Sequence, residues 1–120
     1  MSEIKSYRDL KVWQLGMDLT VKLYQVTKAF PKEELYGLTS QIRRAASSIP
    51  ANIAEGHARG TKEYLHFLLI ATGSLTELET QLMISQRIGL LPEELLNELL
   101  ATTENLGRML NKLRTALRTE

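Results

Sequence analysis

The stretch Leu38-Thr39-Ser40-Gln41-Ile42-Arg43-Arg44-Ala45-Ala46-Ser47-Ser48-Ile49-Pro50-Ala51-Asn52-Ile53-Ala54-Glu55 decides the architecture. Its apolar residues Leu38, Ile42, Ala45, Ile49 and Ile53 recur at spacings of three and four, the period of one helix face. A second row, Gln41, Arg44, Ser48, Asn52 and Glu55, keeps the same period and is polar. A half-buried strand would alternate at every second residue, and no part of the chain does so. Pro50 falls inside the pattern. It removes one backbone donor and its ring crowds the carbonyl of Ala46, so a helix over 38–55, kinked at Pro50, is expected. The competing reading is a break, with Pro50 as the first residue of a new helix.

Toward the N-terminus the spacing predicts a helix over 7–29. Ser6 is its N-cap, with Asp9 three residues on in the capping-box pattern. Lys11, Gln14, Asp18, Lys22, Gln25 and Lys28 form a polar stripe. Two apolar rows flank it: Val12, Leu19, Leu23, Val26 and Phe30 in one, Leu10, Trp13, Met17, Val21 and Tyr24 in the other. That is more than the three apolar positions in seven that a simple bundle requires. Pro31 closes the helix, and 32–36 is expected to make a short turn.

Toward the C-terminus, 56–60 reads as a turn with Gly56 as a left-handed terminator. A helix over 61–88 follows, capped by Thr61 and apolar almost all round in 64–71. Beyond Pro92, Leu95, Leu99, Leu106, Leu110, Leu113 and Leu117 make a narrow stripe over 93–118. Glu93, Glu94 and Glu98 sit early in this helix and Arg108, Lys112, Arg114 and Arg118 late, complementing its dipole. Four helices with short connections predict one all-α domain over 1–120, an antiparallel up-down four-helix bundle.

The chain has 120 residues, enough for one core, and 43% of them are apolar. Fifteen Lys and Arg against fourteen Asp and Glu leave a formal charge of +1, which argues against a strongly basic nucleic-acid binder. With no cysteine, disulfides, thiolate metal sites and cysteine nucleophiles are excluded, and the composition suits the cytoplasm. The first ten residues carry Glu3, Lys5, Arg8 and Asp9, so no signal peptide is expected. The longest apolar run, Phe67 to Ala71, is far short of a membrane span, so no membrane partner is expected.

Catalytic chemistry finds little support. Glu63 and His66 form a Glu-x-x-His motif, which in di-iron bundles occurs twice. His57 has Ala54 at the matching position, so the second motif is missing and neither metal nor cofactor is expected. No serine stands in a nucleophile elbow, and 56–60 lacks the strand and the lysine of a phosphate loop. A non-enzymatic protein is expected.

The polar row of 38–55 has a counterpart in Ser74, Glu77 and Gln81. The expectation is a structural network of Arg44, Asn52, Glu55 and Glu77, with Arg44 paired to Glu77. Arg43, Arg44, His57, Arg59 and Lys62 make one basic set, in which Arg43, Arg59 and Lys62 are the candidates for phosphate contact. The surplus apolar surface predicts a homo-oligomer through Val12, Leu19, Leu65 and Leu69. The alternative is that these helices are simply the most central pair.

The segments Tyr36-Gly37-Leu38-Thr39-Ser40-Gln41-Ile42-Arg43-Arg44-Ala45 and Ser48-Ile49-Pro50-Ala51-Asn52-Ile53-Ala54-Glu55-Gly56, followed by Arg59, resemble the bacterial 23S rRNA intervening-sequence protein family. Leu10 with Val12-Trp13, Phe30-Pro31, Phe67-Leu68, Ile70-Ala71, Gly73-Ser74 and Glu77-Leu78-Glu79-Thr80-Gln81-Leu82 extend the resemblance over about 10–91. The resemblance implies a four-helix bundle and a homopentameric ring. Some family members are encoded within insertions in large-subunit rRNA genes. A similar bundle serves retroelements as a more basic accessory protein that binds nucleic acid and a reverse transcriptase. The function expected is therefore a non-enzymatic oligomeric scaffold for structured RNA or a nucleic-acid-processing protein. The alternative is a protein-interaction module with no nucleic-acid affinity.

Overall fold

Ser6 caps a single turn rather than a long helix. In the computed structural model, which describes residues 4–119, Ser6 Oγ accepts from the Arg8 amide at 3.1 Å, and Asp9 Oδ2 accepts from the Ser6 amide at 3.1 Å. The box is thus formed, but it closes a 3-10 turn, Tyr7–Asp9. Leu10 is extended, and the first α-helix, α1, begins only at Lys11 and runs Lys11–Thr27. The edge of the Tyr7 ring against Trp13, 5.3 Å between centroids, packs this turn back onto α1. The ends of the expected domain, residues 1–3 and 120, lie outside the described residues.

The far end of α1 tightens before Pro31. The amides of Lys28, Ala29 and Phe30 bond carbonyls three residues back, and the residue before a proline is steered out of the α region. A 3-10 turn, Lys32–Glu34, and a π-helical turn, Leu35–Thr39, lead into α2, Ser40–His57. The connection is therefore longer and more wound than the sequence pattern implies, and α2 starts two residues later than expected. Pro50 is buried inside α2, and the helix continues through it to His57, so no new helix begins there.

Gly56 is not a terminator. It lies within α2, buried against α3, Thr61–Arg87. A Cβ there would meet Phe67 Cβ at 2.7 Å and the Tyr64 backbone at 3.3 Å. Its role is close helix approach, not a turn. The left-handed glycine is Gly89, with φ of 85°. The Gly89 amide bonds the Gln86 carbonyl at 3.1 Å and the Leu90 amide bonds the Ser85 carbonyl at 2.9 Å, the two bonds of a Schellman cap ending α3. α4 then spans Glu93–Arg118 behind Pro92.

The described residues are all helix, turn or coil, and the helices pack on one another. α2 lies against α1 and α3, and α4 against α3 and α1. Gly16 of α1 abuts Pro50, and Thr27 meets Arg43. Gly56 abuts Phe67, and Ser48 meets Ser74. Leu75 abuts Gly107, and Glu79 meets Thr103. The core between them is apolar: Leu23, Ile42, Ile49, Ile53, Leu68, Leu78, Leu82, Leu106 and Leu110 are fully buried. Val12 and Leu19 belong to this core, at 6% and 3% exposure, which overturns their assignment to an oligomer interface. α1 turns one of its two apolar rows inward, and that row is theirs.

Buried hydroxyls are satisfied locally. Thr27 donates to the Leu23 carbonyl at 2.7 Å and Ser85 to the Gln81 carbonyl at 2.8 Å. Thr103 Oγ1 lies 2.8 Å from Glu79 Oε2 and ties α4 to α3. Among the described residues, no helix is long and apolar enough to cross a membrane.

Candidate nucleic-acid interface

The cations adjacent in sequence are not brought together. Arg43 and Arg44 sit in the second turn of α2, whereas Arg59 and Lys62 lie beyond its other end. At 1.5 Å per residue the two sets are about 24 Å apart along the helix. They do not form one patch within a single chain.

Arg43 is committed to the fold. Its Nε donates to Thr27 Oγ1 at 2.9 Å, its terminal nitrogen to the Tyr24 carbonyl at 3.3 Å, and its guanidinium carbon lies 4.5 Å from the centre of the Tyr24 ring. That hydroxyl and that carbonyl belong to the last turn of α1, where the helix dipole is negative and carbonyls lack helical partners. Arg59 is committed too: its Nε donates to Glu55 Oε2 at 3.0 Å, and its guanidinium lies over the Phe67 ring at 4.9 Å. That ion pair is half exposed at both ends, so its contribution is small. Lys62 is exposed at the start of α3.

The expected polar network is rearranged. Asn52 Nδ2 donates to the Ser48 carbonyl at 2.7 Å and to Ser48 Oγ at 2.9 Å, and Ser48 Oγ lies 2.9 Å from Ser74 Oγ. This chain of bonds pins α2 to α3. Glu55 faces out to Arg59 instead of joining it. Arg44 and Glu77 face the same groove, yet the only ion pair among the described residues is Arg59–Glu55. The expected Arg44–Glu77 bridge is thus absent, because both side chains are exposed and water solvates them at little cost.

Arg44 stands on a ridge between two hollows. One, of about 460 Å³ between α2 and α3, is lined by Gln41, Ser48, Ser74, Glu77 and Gln81. The other, of about 440 Å³, is lined by Tyr24, Tyr36, Ser40, Arg43 and Ser47. The Arg44 guanidinium makes no hydrogen bond among the described residues. Tyr36, in the π-helical turn, is 94% exposed. Gln81 is nine-tenths buried, and its side-chain oxygen has no hydrogen-bond partner. Tyr36 and the orphaned Gln81 oxygen escape sequence reasoning. The only signals were an aromatic beside Gly37 in a turn and a glutamine in register with Ser74 and Glu77.

A second buried polar group lies at the far end of α2. The Tyr64 hydroxyl has no partner, and burial pushes it up to about 12 from its ordinary 10.0. Its ring packs under Gly56 and edge-on to His57, 5.6 Å between centroids. Glu63 and His66 are exposed on α3, and among the described residues no three His, Asp or Glu side chains converge.

Of the expected interface residues, Leu65 is half-buried and Leu69 is exposed. On the two apolar-rich helices the side chains that do reach the surface are Met17, Val21 and Tyr24 on α1, and Leu69, Ile70, Met83 and Ile84 on α3, with Ile88 at its C-cap. They are the outer rows of the two apolar-rich helices, and α2 and α4 lie between those helices.

The family model described as 23S rRNA-intervening sequence protein matches residues 8–112. A solved structure of a protein of unknown function from the S23 ribosomal protein family of Bacteroides thetaiotaomicron shares the fold. It has a TM-score of 0.81 and 21% identity, covering 87% of this chain and 95% of that one. No curated protein matches the chain.

Proposed function

Since the chain belongs to the 23S rRNA-intervening sequence protein family, we propose that it is a non-enzymatic scaffold that assembles with copies of itself into a ring of five and associates with structured RNA in the cytoplasm. The family match over 8–112 is the observation that carries the RNA half of this reading. Arg44 and Lys62 support it as exposed cations, and they replace Arg43 and Arg59, whose guanidinium groups are already engaged. Self-association rests on the outer rows of α1 and α3. Two apolar strips on different sides of one bundle suit a head-to-tail contact, which closes into a ring when the rotation allows. Ring closure would repeat each of these exposed cations around an axis, so that weak phosphate contacts act together.

The test is a titration against structured RNA and duplex DNA at rising salt. Binding of micromolar strength or better, weakening steeply with salt, is expected. The double variant Arg44→Glu, Lys62→Glu should lower affinity and flatten the salt slope. Light scattering should give a multiple of the 13.6 kDa chain mass. No binding at low salt, with the oligomer intact, would leave a protein-interaction module, a reading that the exposed apolar rows favour by themselves. A monomer would defeat the scaffold.

A further inference from the structure

The ridge at Arg44 has the components of a site for unpaired bases. Tyr36 presents nearly its whole surface to solvent, at 94% exposure, and offers a free aromatic face. It lines the same hollow as Arg44. Across the ridge, the α2–α3 groove is polar but charge-balanced, with Arg44 facing Glu77 and hydroxyl and amide groups between. Such a groove does not suit a phosphate, which Glu77 would repel. It suits a neutral heterocycle bearing N–H and carbonyl groups along one edge, and a carboxylate is a good acceptor for an exocyclic amino group. The acceptor available to such a base is Glu77, whose exposed side chain lines the α3 side of the groove.

We propose that this ridge holds an unpaired segment of RNA, with one base stacked on Tyr36, the adjoining phosphate on the Tyr36 side of Arg44, and the next base in the α2–α3 groove, where the Glu77 carboxylate accepts a base N–H. This rests on the RNA association proposed above and names the form of RNA taken. Paired bases are already stacked and hydrogen-bonded to each other. Only a loop, bulge or single strand can turn one base onto a tyrosine and another into a groove.

The experiment is an anisotropy titration of the full chain with a fluorescein-labelled single-stranded RNA of mixed sequence, and with the duplex made from it. The single strand should bind more tightly than the duplex. Tyr36→Ala should weaken single-strand binding by about tenfold and leave duplex binding and the thermal melt unchanged. Tyr36→Phe, which keeps the aromatic face, should bind as the wild type does. Duplex binding as tight as single-strand binding, or Tyr36→Ala without effect, overturns the base site while leaving RNA association standing. Failure of both RNAs to bind at low salt overturns the RNA association itself. A changed subunit number in Tyr36→Ala, with RNA binding intact, overturns the site in favour of a contact between copies.

Discussion

Arg43 and Arg44 are neighbours in sequence and opposites in the fold. One helical step rotates the side chain by about 100°, enough to place Arg43 in the α1–α2 seam and Arg44 on the ridge beside the α2–α3 groove. In the first seam, the Thr27 hydroxyl and the Tyr24 carbonyl at the end of α1 accept, and Tyr24 supplies an aromatic face, so the guanidinium is held by two hydrogen bonds and a ring. In the second, the carboxylate that could have paired with Arg44 stays in water. A cation beside a helix C-terminus is structural. The same cation one residue later remains available. Helix-end chemistry, rather than residue type, separates the two roles.

The contrast can be broken most severely at the tight end of the α2–α3 seam. Gly56→Ala should destabilise the fold by about 3 kcal/mol in a denaturant titration. The new Cβ would lie 2.7 Å from Phe67 Cβ, and overpacking outweighs the gain of about 1 kcal/mol in helix propensity. Unchanged stability would mean that the helices separate freely there.

Tyr64, at that same end, makes stability depend on pH. Its acid form is favoured in the folded state, up to about 12 against 10.0 unfolded. Stability should therefore be intact below pH 10 and decline between pH 10 and 12, by up to about 3 kcal/mol. Tyr64→Phe should remove this decline and cost little at neutral pH, since it deletes a hydroxyl that has no partner. An identical alkaline profile in the variant would place the titrating group elsewhere.

The arginines themselves sharpen the comparison. Arg43→Ala should cost about 1–2 kcal/mol, because a half-buried, charge-assisted contact is lost and Thr27 loses a donor. Arg44→Ala should change stability by less than about 0.5 kcal/mol. A double-mutant cycle with Glu77→Ala should give a coupling energy near zero. Equal losses for the two arginines, or measurable coupling to Glu77, would erase the distinction.

Much of the fold was legible because helical periodicity is local. The row Ile42, Ala45, Ile49 and Ile53 is buried as the spacing requires, and Pro31 and Pro92 stand where helices end and begin. The failures share one physical cause. Ser6 and Asp9 form their capping box, but capping chemistry is indifferent to whether a 3-10 turn or an α-helix follows. A glycine near a helix end signals either a left-handed turn or a close approach. Gly89 is the first and Gly56 the second, and only the presence of Phe67 tells them apart. The candidate site was less legible still. Arg44, Asn52 and Glu77 do gather along one seam, but Glu55 leaves it for Arg59, and spacing carries no record of which partner is nearer.

The four helices, the apolar row that α2 turns inward and the surplus of apolar surface on α1 and α3 are local properties of the chain, because each follows from a repeat of three or four residues. Which of the two apolar rows of α1 faces in was settled by packing. It buried Val12 and Leu19 and left Met17, Val21 and Tyr24 outside. It also decided which cations are spent on the fold and that the Gln81 side-chain oxygen has no donor. Those outcomes depend on the neighbour a helix receives, and a neighbour is a property of the packed molecule rather than of any one segment.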